Sequence, residues 1–123
     1  MANELTFQFQ TNLSNGELKD QHSSNSISVD QTTAKLVRNV QTVGTAAAGE
    51  ALDMGDLASA GYAIFVNLDD TNFVEIGRSI GGSFEEFLKV EPGEQALCRL
   101  ATATPYAKAD TSDVELFYII YDD

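Results

Sequence analysis

Val114-Glu115-Leu116-Phe117-Tyr118-Ile119-Ile120-Tyr121, followed by Asp122-Asp123, reads as one long strand. From Leu116 onward both of its faces are apolar. A strand buried on both faces is either central to its fold or covered by another subunit. Upstream, Asp110-Thr111-Ser112-Asp113 supplies a turn, and a shorter strand is expected around Tyr106 to Ala109. Gln95 to Ala101 and Phe84 to Val90 are further strands, separated by Glu91-Pro92-Gly93-Glu94. Proline presets φ and glycine accepts a positive φ, so Pro92-Gly93 fits the centre of a type II turn. Gly81-Gly82 breaks the chain again. Tyr62-Ala63-Ile64-Phe65-Val66-Asn67-Leu68 and Phe73-Val74-Glu75-Ile76-Gly77-Arg78 flank Asp69-Asp70-Thr71-Asn72, which predicts a β-hairpin.

The N-terminal third is less regular. Leu5-Thr6-Phe7-Gln8-Phe9-Gln10 alternates apolar with polar, as a half-buried strand does. Residues 11 to 26 then turn polar and read as a loop or extended arm, with Asn15-Gly16 as the clearest turn signal. Alternation returns at Ser26 to Gln31, and a strand is expected from Lys35 to Val43. Between Gly44 and Gly61, Ala46-Ala47-Ala48 and Glu50 to Met54 favour a helical turn. The glycines at 44, 49, 55 and 61 oppose it, each costing about 1 kcal/mol in a helix. Loop, short strand, loop is the reading there. Eight or nine short strands, with turns about every ten residues and no long helix, predict an all-β antiparallel sandwich or barrel. The 123 residues, with no dividing linker, suit a single domain over 1–123.

Seven basic residues stand against nineteen acidic ones, a formal net charge of −12. Lys19, Lys35, Arg38, Arg78, Lys89, Arg99 and Lys108 are scattered singly, so nothing resembles the basic stripe that a phosphate backbone or an anionic membrane requires. The acidity predicts solubility and resistance to self-association, with docking onto a basic protein surface as the sharper alternative. No basic segment followed by an apolar run opens the sequence, and its apolar stretches are far shorter than a membrane span.

Chemistry-bearing residues are sparse. Cys98 is the only cysteine, so an intrachain disulfide is ruled out; its alternation with Arg99 turns it inward as a small hydrophobe. His22, the only histidine, sits among Gln, Ser and Asn, away from any partly desolvated nucleophile. Ile80-Gly81-Gly82-Ser83 lacks the lysine of a phosphate loop. The pairs Asp53/Asp56, Asp69/Asp70, Glu85/Glu86 and Asp122/Asp123 fall mostly in turns, where carboxylates cap backbone amides. No tryptophan accompanies them as a sugar cleft would lead one to expect. Calcium near Asp69-Asp70 has suitable oxygen ligands but no spaced Asp-x-Asp-x-Asp-Gly loop. Asn72 beside Phe73 invites a ligand role, against the commoner one of tolerating positive φ in the hairpin turn. Catalysis, cofactors and metals are accordingly not expected.

The stretches Gly61 to Gly77, Leu88 to Leu97 and Tyr106 to Thr111 together resemble small β-proteins encoded among the virion structural genes of tailed bacteriophages, including those that decorate or cement the capsid. The resemblance covers roughly residues 50 to 123. It implies a jelly-roll-like sandwich, often trimeric, bound to the outer face of the head through the major capsid protein, and made in the host cytoplasm before assembly. It carries over no catalytic residues. On this reading Leu116, Phe117, Tyr118, Ile119, Ile120 and Tyr121 are the candidate subunit interface, with an ordinary core role as the rival account of Ile119. Residues 11 to 26, with Leu13, Asn15, Lys19 and His22, are the candidate capsid-contact arm. The competing expectations are a tail, baseplate or fibre component, and a carbohydrate- or receptor-binding module using exposed aromatics such as Tyr62, Phe73 or Tyr106.

Overall fold

A computed structural model describes residues 4–123, which form antiparallel β-structure without a helix. The chain divides into two compact units, Met1–Thr32 and Thr33–Asp123.

The first unit is one interrupted hairpin. β1 (Leu5–Phe7) pairs with β4 (Ile27–Val29), and between them β2 (Gln10–Asn15) pairs with β3 (Leu18–Ser23). At the interruption the Phe9 amide donates to Ser24 Oγ and the Ser24 amide to the Phe9 carbonyl, both at 2.8 Å. At the tip Asn15 pairs with Leu18 across Gly16-Glu17, and Gly16 has φ of 60°, where glycine meets no Cβ penalty. Residues 11 to 26 are therefore mostly regular hairpin rather than loop. Every residue of β2 and β3 is exposed, so neither strand carries the period-two burial that betrays a strand in sequence.

The second unit is the sandwich. Its strands are β5 (Leu36–Val43), β6 (Glu50–Ala51), β7 (Ala60–Asn67), β8 (Val74–Ile80), β9 (Ser83–Val90), β10 (Gln95–Arg99), β11 (Tyr106–Ala109) and β12 (Val114–Asp122). Sheet I has the order β10-β7-β12-β5 and sheet II the order β6-β11-β8-β9. The pairing explains the order. β5 pairs with β12, β6 with β11, β7 with β10 and β8 with β9, all antiparallel. This is one long hairpin, folded so that successive pairs fall alternately in sheet I and sheet II. The β7·β12 and β8·β11 contacts close the two sheets. First strand beside last, second beside last but one, is the jelly-roll topology.

Two local expectations change. β7 and β8 are not hairpin partners: they lie in different sheets, and Leu68 to Phe73 is a crossover. The tight hairpin lies instead at Gly81-Gly82, where Ile80 pairs with Ser83. Both glycines have positive φ (58° and 83°), as a type I′ turn requires. The Pro92-Gly93 turn forms as expected: Gly93 has φ of 77°, and the Glu94 amide donates to the Glu91 carbonyl at 3.0 Å. In the ambiguous 44–61 stretch the regular pieces are the two-residue β6 and the first two residues of β7, Ala60 and Gly61.

Inward residues of both sheets form one core. Phe65, Leu116, Tyr118 and Ile120 from sheet I join Val74, Ile76 and Val90 from sheet II, with Ala63, Ala107 and Ala109 leaving room for the larger rings. Each large apolar side chain contributes about 1.5–3 kcal/mol by leaving water. A bulge in sheet II pairs Ile76 with Leu88 but Gly77 with Glu86, leaving Phe87 unpaired and exposed. Only glycine fits at 77, since a Cβ there would lie 2.0 Å from the Glu85 carbonyl oxygen.

Candidate interaction surfaces

Side chains alternate across a strand, so each inward set on sheet I leaves an outward set. The register orders it in cross-strand rows. One row is Val40, Phe117, Val66 and Gln95; the next is Arg38, Ile119, Ile64 and Leu97. A third carries Leu36 and Tyr121, with Tyr62 and Arg99 on the neighbouring strands. Leu36, Val40 and Leu97 are 52%, 47% and 37% exposed, while Ile119 at the centre is only 6% exposed. Phe117, Tyr121, Tyr62, Ile64 and Val66 are partly exposed. An apolar centre is thus edged by Arg38, Arg99, Gln95, Thr42 and Glu115. The Arg38 guanidinium lies 5.8 Å from the Phe117 ring centre, and that of Arg99 lies 4.9 Å from the Tyr62 ring while pairing with Asp123 at 2.9 Å. The outward side of sheet II differs in kind, with Glu75 paired in register with both Lys89 and Lys108.

The strand from Leu116 to Tyr121 is split by this geometry. Leu116, Tyr118 and Ile120 point into the sandwich and belong to its core, so they are unavailable to a partner. Phe117, Ile119 and Tyr121 face outward. β12 is apolar on both faces because it is internal to its sheet and also contributes to this outer patch. Leu36, Val40, Ile64, Val66 and Leu97 complete the patch. Sequence reading missed them because their strands had not been placed beside β12.

In the hairpin, cross-strand pairing places Thr11, Leu13 and Asn15 on one face with Leu18, Asp20 and His22, and Lys19 on the other with Ser14. Phe9 joins the first face through its ring contact with His22, at 5.7 Å between centroids. Leu13, Asn15 and His22 therefore share a face, and Lys19 does not. All four are exposed.

Polar groups elsewhere are occupied in holding the fold. Asn67, 1% exposed, donates from Nδ2 to the carbonyls of Asn72 (2.9 Å) and Val90 (3.0 Å) and accepts from the Asp69 amide (2.8 Å). The Asp69 carboxylate accepts the amides of Thr71 and Asn72, which lower its pKa below the usual carboxylate range. Asn72 Oδ1 accepts the Thr111 hydroxyl at 2.8 Å, tying the crossover to the 110–113 turn. The Tyr118 hydroxyl donates to the Asp53 carbonyl at 2.7 Å and accepts from Asn39 Nδ2 at 3.2 Å; burial pushes its pKa up. Cys98 packs against the core, and burial pushes its thiol up as well. Lys35, Arg78, Lys89 and Arg99 are ion-paired with Asp56, Glu85, Glu91 and Asp123. Phe73 is capped by Lys89 at 4.3 Å, and Tyr62 by Arg99, so neither is a bare stacking platform. Among the described residues no group of three or more His, Cys, Asp or Glu is placed to hold a metal.

Fold and surface define the class as an all-β protein whose second unit is an eight-stranded jelly roll with one apolar outer face. Compared with known proteins, the chain matches no family model, no curated protein and no solved structure.

Proposed function

We propose that the chain is a non-catalytic structural protein of a tailed-bacteriophage virion, a decoration or cement protein that binds the shell of major capsid protein from outside and stabilises the head. The observation that carries this reading is the contrast between the chain's surfaces and its polar groups. The polar clusters are consumed by turns, caps and ion pairs, whereas an apolar sheet face and a fully exposed hairpin are left available. Large exposed apolar patches on a charged protein are the mark of a binding surface. The jelly-roll topology and the sequence resemblance agree with the role. So does the net charge of −12, which keeps unassembled copies soluble. Copies of the chain, as a homotrimer in this reading, gain on a shell from multivalency: weak contacts linked in one assembly bind far more tightly than each alone. The exposed hairpin, with Leu13, Asn15, Lys19 and His22, is the proposed shell contact.

The test is co-sedimentation of the purified chain with capsids that lack it, followed by imaging of the pellets. Saturable binding with regular external density is expected, weakened at least tenfold by Leu13→Asp combined with Leu18→Asp. Capsids that sediment without the chain at all concentrations overturn the proposal.

A further inference from the structure

We infer that the β2–β3 hairpin opens and closes independently of the sandwich in the free chain, and is held shut only when another surface covers it. This is the segment proposed above as the shell contact. The inference concerns the free chain and its test needs no capsid, so the two readings fail separately.

A pair of strands is stabilised by the side chains that face each other across it. Six such pairs join β2 to β3: Gln10/Ser23, Thr11/His22, Asn12/Gln21, Leu13/Asp20, Ser14/Lys19 and Asn15/Leu18. None sets apolar against apolar or anion against cation. Leu13 and Leu18 each face a polar partner and are 45% and 62% exposed. Every other residue of the two strands is exposed as well, so the entropy lost in ordering residues 10–23 is offset by little burial. A two-stranded ribbon with no covered face is marginal in water. What favours closure is local: the turn at Gly16, the ladder itself and the contact of Phe9 with His22.

The sandwich is built the opposite way. β12 is paired on both edges, sets Phe117 against Val40 and Val66 and Ile119 against Ile64, and buries Leu116, Tyr118 and Ile120. Opening it exposes that core, whereas opening the hairpin exposes little that is not already in water. The two therefore open as separate cooperative units, at very different free energies. The boundary falls at the paired bonds of Phe9 and Ser24, below which Leu5, Phe7, Ile27 and Val29 are half-buried. Phe9, Leu13 and Leu18 gain little in the free hairpin. A surface that covers them removes their apolar area from water and closes the ladder in the same step, so the order of the hairpin reports contact.

The test is amide hydrogen exchange on the full chain, read residue by residue by NMR. The two-residue turn makes Asn15/Leu18 a hydrogen-bonded pair, so the alternate pairs Leu13/Asp20 and Thr11/His22 are hydrogen-bonded too. The amides of Thr11, Leu13, Asp20 and His22 are expected to exchange at least about a hundredfold faster than those of Phe65 and Tyr118, which lie on internal strands of the sandwich. Asn12 and Gln21 form a non-hydrogen-bonded pair, whose Cα spacing of about 4.5 Å suits a disulfide. With Cys98→Ala removing the competing thiol, Asn12→Cys combined with Gln21→Cys should hold the hairpin shut on oxidation. Its amides then slow at least tenfold, recover on reduction, and leave the sandwich amides unchanged. A wild-type gap smaller than a hundredfold overturns the inference, as does an oxidised hairpin that exchanges no more slowly than the reduced one.

Discussion

Replacing Asn67 by alanine tests how the chain crosses between sheets. Asn67 ends β7, and its side chain holds three backbone groups at once: the Asn72 and Val90 carbonyls and the Asp69 amide. Its own amide and carbonyl meet Glu94 and Gly93, so the crossover, β9 and the following turn converge on one residue. Alanine removes three hydrogen bonds, each with a net worth of about 1 kcal/mol, and strands buried partners at some further cost. The expected loss is about 3–4 kcal/mol, a large fraction of the 5–15 kcal/mol that holds a typical domain. Urea denaturation followed by circular dichroism reads this directly. With a slope of about 1–3 kcal/mol per molar, the midpoint should fall by one to several molar. Asn67→Asp should be worse at neutral pH, because a carboxylate would then face two carbonyls without solvent. Asn72→Ala, which removes an exposed bond to Thr111 and a side-chain bond to the exposed Asp69 carboxylate but leaves the buried Asn67 bonds in place, serves as the control and should cost about 1 kcal/mol. An Asn67→Ala loss no larger than that control would refute the reasoning.

Gly77→Ala should destabilise by several kcal/mol or prevent folding, since its Cβ meets the Glu85 carbonyl oxygen; a melting temperature within a few degrees of wild type would contradict the bulge. Tyr118→Phe deletes a hydroxyl bonded to Asp53 and Asn39 and should cost about 1–2 kcal/mol in the same urea assay, loosening the 50–56 segment toward faster amide exchange. Asp69 has its pKa lowered on folding, so its contribution is complete above the ordinary aspartate range and is lost as pH falls through the lowered value. Asp69→Asn should therefore flatten the acid limb of the stability curve while leaving the alkaline limb unchanged, as measured by denaturation across pH.

Much of the fold was legible because its signals are local. Pro92-Gly93, the 106–109 strand and the long apolar β12 announce themselves in composition and alternation, and short strands with frequent turns point to a sandwich. What sequence could not supply was pairing. Asp69-Asp70-Thr71-Asn72 looks like a hairpin loop between two apolar strands, yet Asn67 and Asp69 use it to pass the chain from one sheet to the other. Gly81-Gly82 looked like a break and is the tightest turn in the sandwich. The 10–23 hairpin was invisible for a different reason: with both faces exposed, nothing selects an alternating pattern. The outer patch was half legible. β12 showed that one face was surplus to the core, but which face depends on Val40, Ile64 and Leu97, which only strand order brings beside Phe117 and Ile119.

The central proposal concerns where the protein works, and its most direct test is its position in the intact particle. Labelling the chain in purified virions, by a short peptide tag and antibody or by difference imaging against particles lacking it, locates it without assumptions about affinity. The proposal predicts copies arrayed regularly over the outer surface of the head, in a fixed ratio to the major capsid protein. Label confined to the tail, or absent from purified particles, would contradict it.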